Sequence, residues 1–284
     1  LFSNYKKLFD SENKLINYKN VHKFTCSIYK DLKIVGITYN GKVFPIDWQS
    51  NINNDFKLDN KILGNINPKD ILNFHYINKK KKNYLCILDA TGRFKKIIFD
   101  DDMLKSNRSF SIIKLKNRIK LIDSFISTGE EKLLILTSLG RVFKFDLSNK
   151  YIMPTTKQSQ GLMIAKIFPT EKIVSCCKGN KNENLYLLSK KGKFFSIRNS
   201  EIYDSNNSKL GYLIGKSQLK NDKFIKIISN NQYIDIETNK NKSARINFDK
   251  INDNSKNHIS VIDFLDLDEN EYIENCYSLE KFLH

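Results

Sequence analysis

A repeat of about fifty residues runs through this chain, and it limits the fold more tightly than any local motif. Five segments share one pattern: IVGITYNGKVFPI, LCILDATGRFKKI, LLILTSLGRVFKF, LYLLSKKGKFFSI and IDIETNKNKSARI. In each, an apolar run ends in Thr38, Asp89, Thr137, Ser189 or Thr238, and three residues later stands Gly41, Gly92, Gly140, Gly192 or Asn241. The next residue is basic in every copy: Lys42, Arg93, Arg141, Lys193 and Lys242. Successive turn positions lie 51, 48, 52 and 49 residues apart. A fixed period of that length marks an array of similar supersecondary units, as in propellers and solenoids.

The turn has a physical reading. Thr, Ser or Asp opens it because a short side-chain oxygen can accept hydrogen bonds from backbone N–H groups one or two residues on. The Gly occupies a position that needs positive φ, as in a four-residue hairpin loop with a bulged Gly. Asn tolerates that region better than other non-Gly residues, which suits Asn241. Each copy therefore predicts a β-hairpin. Shared period, turn chemistry and basic residue together separate the array from five unrelated hairpins in a sandwich.

The second half of each unit is less regular. It holds a variable loop, often a Gly that opens an apolar stretch, an acidic turn and another strand, as in GLMIAKIFPTEKIVSCC from Gly161. Two hairpin-like halves make a four-stranded blade, the unit of propeller folds. The expected architecture is one all-β domain over residues 24–284, with residues 1–23 a linker or N-terminal extension. Helical periodicity is confined to short stretches within residues 1–30.

At 284 residues and 40% apolar content, the chain can bury a sizeable core. No apolar run reaches membrane-spanning length and no signal peptide is visible, so a cytoplasmic, nucleoid-associated location with no membrane partner is expected. The first residue is Leu1 rather than Met, which suggests a piece of a longer protein. Five cysteines without metal-ligand spacing fit reduced thiols, and Cys86 and Cys177 read as small buried hydrophobes.

Net charge is +17 and unevenly placed: residues 1–250 carry +23, and residues 251–284 carry −6. Six of the 48 basic residues are Arg, and Lys, Asn and Ile are abundant, the mark of an AT-rich coding sequence. That bias would raise Glu equally, so the positive excess still requires a cause. A strongly basic β-domain most often binds nucleic acid or another anionic surface.

The TSLGRVFKF and LSKKGKFFSI elements, the period and the GLMIAKI-type strand resemble the C-terminal domain of the A subunit of bacterial type IIA topoisomerases, DNA gyrase and topoisomerase IV. The resemblance extends from Phe24 to the end of the chain. It implies a propeller-like β-pinwheel of five to six four-stranded blades that exchange strands with their neighbours. Five repeats with a partial sixth at the C-terminus fit either count. It also implies a basic rim around which duplex DNA bends, presenting a segment for ATP-dependent strand passage.

The implied partners are double-stranded DNA and, through upstream regions, a B-type ATPase subunit and a second A subunit. ATP and Mg would be used by those other parts, with no cofactor in this chain. Gyrase-type domains carry a basic box of the form QRRGGKG. The nearest string here is Gln158-Ser159-Gln160-Gly161, so Gln158, Gln160 and Gly161 mark a degenerate box region. The comparison leans toward a topoisomerase IV-like or divergent gyrase-like A subunit.

Electrostatics names the candidate DNA contacts. A repeated blade sets equivalent cations at regular intervals along a curved edge: Lys42, Arg93, Arg141, Lys193 and Lys242 first, then Lys96, Lys144 and Arg245, four residues past the turn Gly or Asn. No base-reading constellation is visible, so little sequence specificity is expected. The string from Gly211 to Ser217 is one residue short of a phosphate-binding loop and sits where the repeat calls for a strand. The four histidines are scattered, and no Ser-His-Asp arrangement, GxSxG elbow or metal spacing appears, so no catalytic residue and no metal site is expected. A protein-docking propeller is the alternative function. Kelch-type repeats would show a Gly-Gly pair with spaced Tyr and Trp, whereas Trp48 is the single Trp. The acidic stretch Asp263–Glu274 reads either as the last blade's acidic turn or as a competitor with DNA for the rim.

Overall fold

The computed structural model describes residues 16–17, 32–46, 66–67, 70–78, 82–100, 102–104, 108–116, 118–205, 211–214, 219, 221–229, 232–248, 260–263, 265 and 267–280. Among these described residues, twenty strands, numbered in chain order, form five four-stranded antiparallel sheets that stand as blades in a ring. From inside to outside, the first blade is β4 (Ile71–Asn78), β2 (Leu32–Thr38), β3 (Lys42–Ile46) and β7 (Phe110–Ser111). The second is β8 (Leu121–Ser127), β5 (Asn83–Asp89), β6 (Arg93–Phe99) and β11 (Leu162–Met163). The third is β12 (Ile173–Gly179), β9 (Lys132–Thr137), β10 (Arg141–Asp146) and β15 (Tyr212–Leu213). The fourth is β16 (Phe224–Ser229), β13 (Asn184–Ser189), β14 (Lys193–Arg198) and β19 (Ser260–Asp263). The fifth is β20 (Ile273–Glu280), β17 (Gln232–Thr238), β18 (Lys242–Asn247) and β1 (Ile16–Asn17). Of residues 1–30, where short helical stretches are expected, only 16–17 are described, and they are a strand.

Each repeat hairpin forms the middle pair of a blade, but one repeat does not supply a whole blade. The outer strand of the first blade, β7, arrives after the second blade's hairpin, and the same offset recurs in the next three blades. Exchange of this kind pairs the open edge of each hairpin and fastens neighbouring blades together. The fifth blade takes its outer strand from the other end of the chain, with Ile16 opposite Ser243 and Asn17 opposite Lys242. The C-terminal stretch is the inner strand of this fifth blade, so the described residues form five blades.

The repeated turn closes as its chemistry predicts, with a longer side-chain reach. Gly41, Gly92, Gly140, Gly192 and Asn241 all have positive φ, and each donates its N–H to the carbonyl three residues back. The opening side chain accepts chiefly from the N–H four residues on, that of the basic residue: Lys42 to Thr38 Oγ1 at 3.0 Å, Arg141 to Thr137 Oγ1 at 3.0 Å and Lys193 to Ser189 Oγ at 3.0 Å. Asp89 and Thr238 accept from both the second and the fourth residue on. The oxygen thus fastens the first rung of the returning strand.

Second strands are buried on both faces. Every residue of β5 is buried, and alternate side chains serve opposite interfaces. Leu85 and Ile87 pack with Val35, Ile37 and Val43 of the first blade, while Tyr84, Cys86 and Leu88 pack with Leu133, Ile135 and Phe143 of the third. The pattern continues between the third and fourth and between the fourth and fifth blades. Cys86 and Cys177 are buried free thiols, and burial raises the pKa of both.

The inner strands meet at a polar hub. Asp123 of β8 accepts hydrogen bonds from Asn73 Nδ2 of β4 (2.9 Å), Ser175 Oγ of β12 (2.8 Å) and Lys226 Nζ of β16 (2.8 Å), joining four blades through one carboxylate. The Cys176 and Ser124 amides donate to it as well. Burial alone would push the Asp123 carboxyl up, but Lys226 and these donors hold it below the usual carboxylate range. Beside it, His75 lies 2.8 Å from Ser124 Oγ, and burial drives its imidazole pKa down to about 3.

Candidate nucleic-acid interface

The five turn cations occupy one register position. Each is the first residue of the third strand of its blade, against the outer strand: Lys42 faces Ser111, Arg93 faces Met163, Arg141 faces Leu213, Lys193 faces Asp263 and Lys242 faces Asn17. The preceding Gly is required for a second reason besides φ. A Cβ on Gly92 would lie 2.2 Å from the Ala165 carbonyl oxygen, and one on Gly140 would lie 2.4 Å from that of Ile214. The exchanged segment passes directly over the turn and accepts no side chain there. Turn chemistry and strand exchange together set a cation at the same outer edge of every blade.

These cations differ in commitment. Lys42 and Lys193 are exposed and Arg93 is half-buried; among the described residues no carboxylate pairs with any of the three. Arg141 is held by Glu171, with Nε to Oε1 at 3.1 Å, and its guanidinium lies 4.8 Å from the Phe168 ring centre. Lys242 reaches Asp268 at 2.8 Å and Glu271 at 2.9 Å, and hydrogen bonds to those two carboxylates raise its pKa. Lys240 also meets Asp268, at 3.2 Å. Within the acidic stretch, residues 267–272 form the turn before the last inner strand, and Asp268 and Glu271 pair with the fifth blade's Lys240 and Lys242.

Lys96, Lys144 and Arg245 do not join that edge. Lys96 is fully buried, donates to the Leu147 carbonyl and to Asn149 Oδ1, and stacks over Tyr84. Lys144 donates to the Asn199 carbonyl at 3.0 Å, with Asp204 at 3.5 Å. The Arg245 guanidinium pairs with Asp235 on the adjacent strand. Lys96 and Lys144 thus link strands to crossing segments inside the molecule, and Arg245 links two strands of one blade.

Sequence reasoning missed Lys95. It is buried where the other blades carry Phe44, Phe143, Phe195 and Ala244, and its ammonium donates to the carbonyls of Ile112 (2.6 Å), Lys157 (2.8 Å) and Ser159 (2.7 Å). Aligning the repeats at this phase would have singled it out as the charged exception. Lys95 anchors the box-region loop by its backbone and leaves Gln158 and Gln160 exposed; Gly161, at φ +77°, then opens β11. Gly211 likewise leads into a strand, β15, rather than a phosphate-binding helix.

The middle-strand hairpins, exchanged outer strands and ring closure define a five-bladed β-pinwheel. Solved structures share this fold. The C-terminal domain of DNA topoisomerase IV superposes with a TM-score of 0.67 at 17% identity, over 88% of this chain and 80% of that one. The DNA gyrase A C-terminal domain gives 0.67 at 19% identity, over 88% and 83%. No protein-family model matches the sequence, and no curated protein matches it. The chain thus has the fold of these topoisomerase domains. Among the described residues no helix is long and apolar enough to cross a membrane.

Proposed function

We propose that this chain is the non-catalytic DNA-binding and DNA-bending domain of a type IIA topoisomerase A subunit. In this reading it acts in the cytoplasm on the nucleoid and presents duplex to a core assembled with a second A subunit and a B-type ATPase subunit. ATP and Mg belong to those other parts. The observation that carries the reading is the turn cation at one register position on every blade. Spaced cations on a curved edge suit a bent polyanion, because phosphate neutralisation releases counterions and offsets the bending cost of about 1–6 kcal/mol. The fold shared with the topoisomerase domains supports the same reading.

Lys42, Arg93 and Lys193 are the principal contacts, since Arg141 and Lys242 already have carboxylate partners. Neutralising three phosphates gives a log–log salt slope of about −2.7, or a loss of about fortyfold in affinity between 50 and 200 mM salt. Anisotropy with a labelled 40-base-pair duplex measures this, and the triple variant Lys42→Glu/Arg93→Glu/Lys193→Glu should lose most of the slope. Wild-type affinity that ignores salt would refute the proposal. Religation of nicked plasmid with bound protein then reads the handedness of any trapped writhe.

A further inference from the structure

Of the eight large apolar side chains exposed on the described residues, seven lie within residues 151–168 or 203–213, and Ile98 on β6 stands apart. Leu162 and Met163 (48% and 50% exposed) form the outer strand of the second blade, and Leu213 (42%) ends that of the third. Met153 and Tyr203, the most exposed of the set, follow the buried Ile152 and Ile202 at the same point of the two crossing loops, and Tyr203 lies 5.9 Å from Tyr212. A single sector of the rim therefore presents apolar groups from corresponding positions of two neighbouring blades.

Register ties this sector to the cations. Met163 is the cross-strand partner of Arg93, and Leu213 that of Arg141. Residues 147–172 add four lysines against one acid, Glu171. A protein-docking surface would instead concentrate apolar groups where Lys is depleted. Apolar tips alternating with cations match a DNA groove, where cations meet phosphates and apolar side chains such as Leu and Met part a base step. Such wedges kink a duplex by about 20–90°.

We propose that Leu162–Met163 and Leu213 are minor-groove wedges that unstack base steps as duplex passes the second and third blades. The inference rests on the DNA-bending reading and deepens it: counterion release supplies affinity, while the wedges concentrate the bend at two kinks. Easily unstacked pyrimidine–purine steps should be favoured beneath them.

The test compares wild-type protein with the triple variant Leu162→Ala/Met163→Ala/Leu213→Ala. All three sites are exposed, and circular dichroism verifies that the fold is intact. End-labelled 40-base-pair duplexes, with or without two central TA steps, report affinity by anisotropy and bending by energy transfer. The expected result is a variant that binds within about threefold of wild type with the same salt slope, loses roughly half of the bending signal, and loses the wild-type preference for TA steps. A variant that bends both duplexes as wild type does would overturn the wedges and leave the DNA reading standing. A change in self-association by sedimentation, with bending intact, would reassign the patch to protein contact. Wild-type protein that binds neither duplex at low salt would sink the underlying functional reading, and the wedges with it.

Discussion

Lys226→Met tests the hub that joins four blades. The substitution keeps side-chain length and removes the ammonium that lies 2.8 Å from Asp123. The carboxylate keeps donors from Asn73, Ser175 and two amides, so it is not stripped of hydrogen bonds. Removing one partner of a buried pair costs about 3–5 kcal/mol, because the remaining charge lies uncompensated in a low dielectric. The carboxyl has one escape, which is to take up a proton. From an ordinary pKa of 3.8, that costs about 4.4 kcal/mol at pH 7 and about 1.6 kcal/mol at pH 5, at 1.36 kcal/mol per unit. The expected destabilisation is therefore about 3–4 kcal/mol at pH 7, shrinking below about 2 kcal/mol at pH 5. Urea unfolding at the two pH values measures it. Adding Asp123→Asn should recover most of the loss at pH 7, a non-additivity that a double-mutant cycle reads directly. A penalty under about 1 kcal/mol, independent of pH, would show that the pair does not bear on ring stability.

Three further outcomes are expected. His75 and Asp123 both bind fewer protons folded than unfolded, so stability should fall as pH drops from 6.5 toward 3, through the imidazole window first and the carboxylate window last; a flat urea midpoint between pH 6.5 and 4 would contradict the burial of His75. Gly92→Ala, at φ +92° with its Cβ set against the Ala165 carbonyl, should cost at least about 2 kcal/mol, while Asn241→Gly should be nearly neutral by thermal unfolding. Asp268→Ala with Glu271→Gln should free Lys242 and, on the proposed function, steepen the salt slope of duplex binding by about 0.9; an unchanged slope would remove the fifth blade from the contact edge.

The turn was legible in full as a fold element, because each of its parts is local: an oxygen-bearing residue, a position with positive φ and a cation beside it. Its hydrogen bonding differed in reach, since the opening oxygen caps the N–H of the returning strand four residues on in every copy, and a nearer one as well only at Asp89 and Thr238. The placement of the candidate contact residues was half legible. The cation next to each turn lies on the outer part of every blade, whereas Lys96, Lys144 and Arg245, basic in three of the five copies, turn inward, the two lysines to carbonyls of crossing segments and Arg245 to Asp235 on the adjacent strand. No alternation could have warned of this, because middle strands such as β5 are buried on both faces and lack a polar side.

By itself the sequence determined the repeating hairpin, its period and a basic residue at every turn, since these depend on backbone preferences within a few residues. Tertiary structure decided the rest. Two-residue outer strands such as Leu162–Met163 carry no recognisable pattern until a neighbouring blade supplies an edge to pair with. The hub likewise assembles from Asn73, Asp123, Ser175 and Lys226, four residues about fifty positions apart in sequence that ring closure brings within hydrogen-bonding distance. Which lysines face solvent follows from the same closure, because a flexible cation goes inward wherever a passing backbone offers it carbonyls.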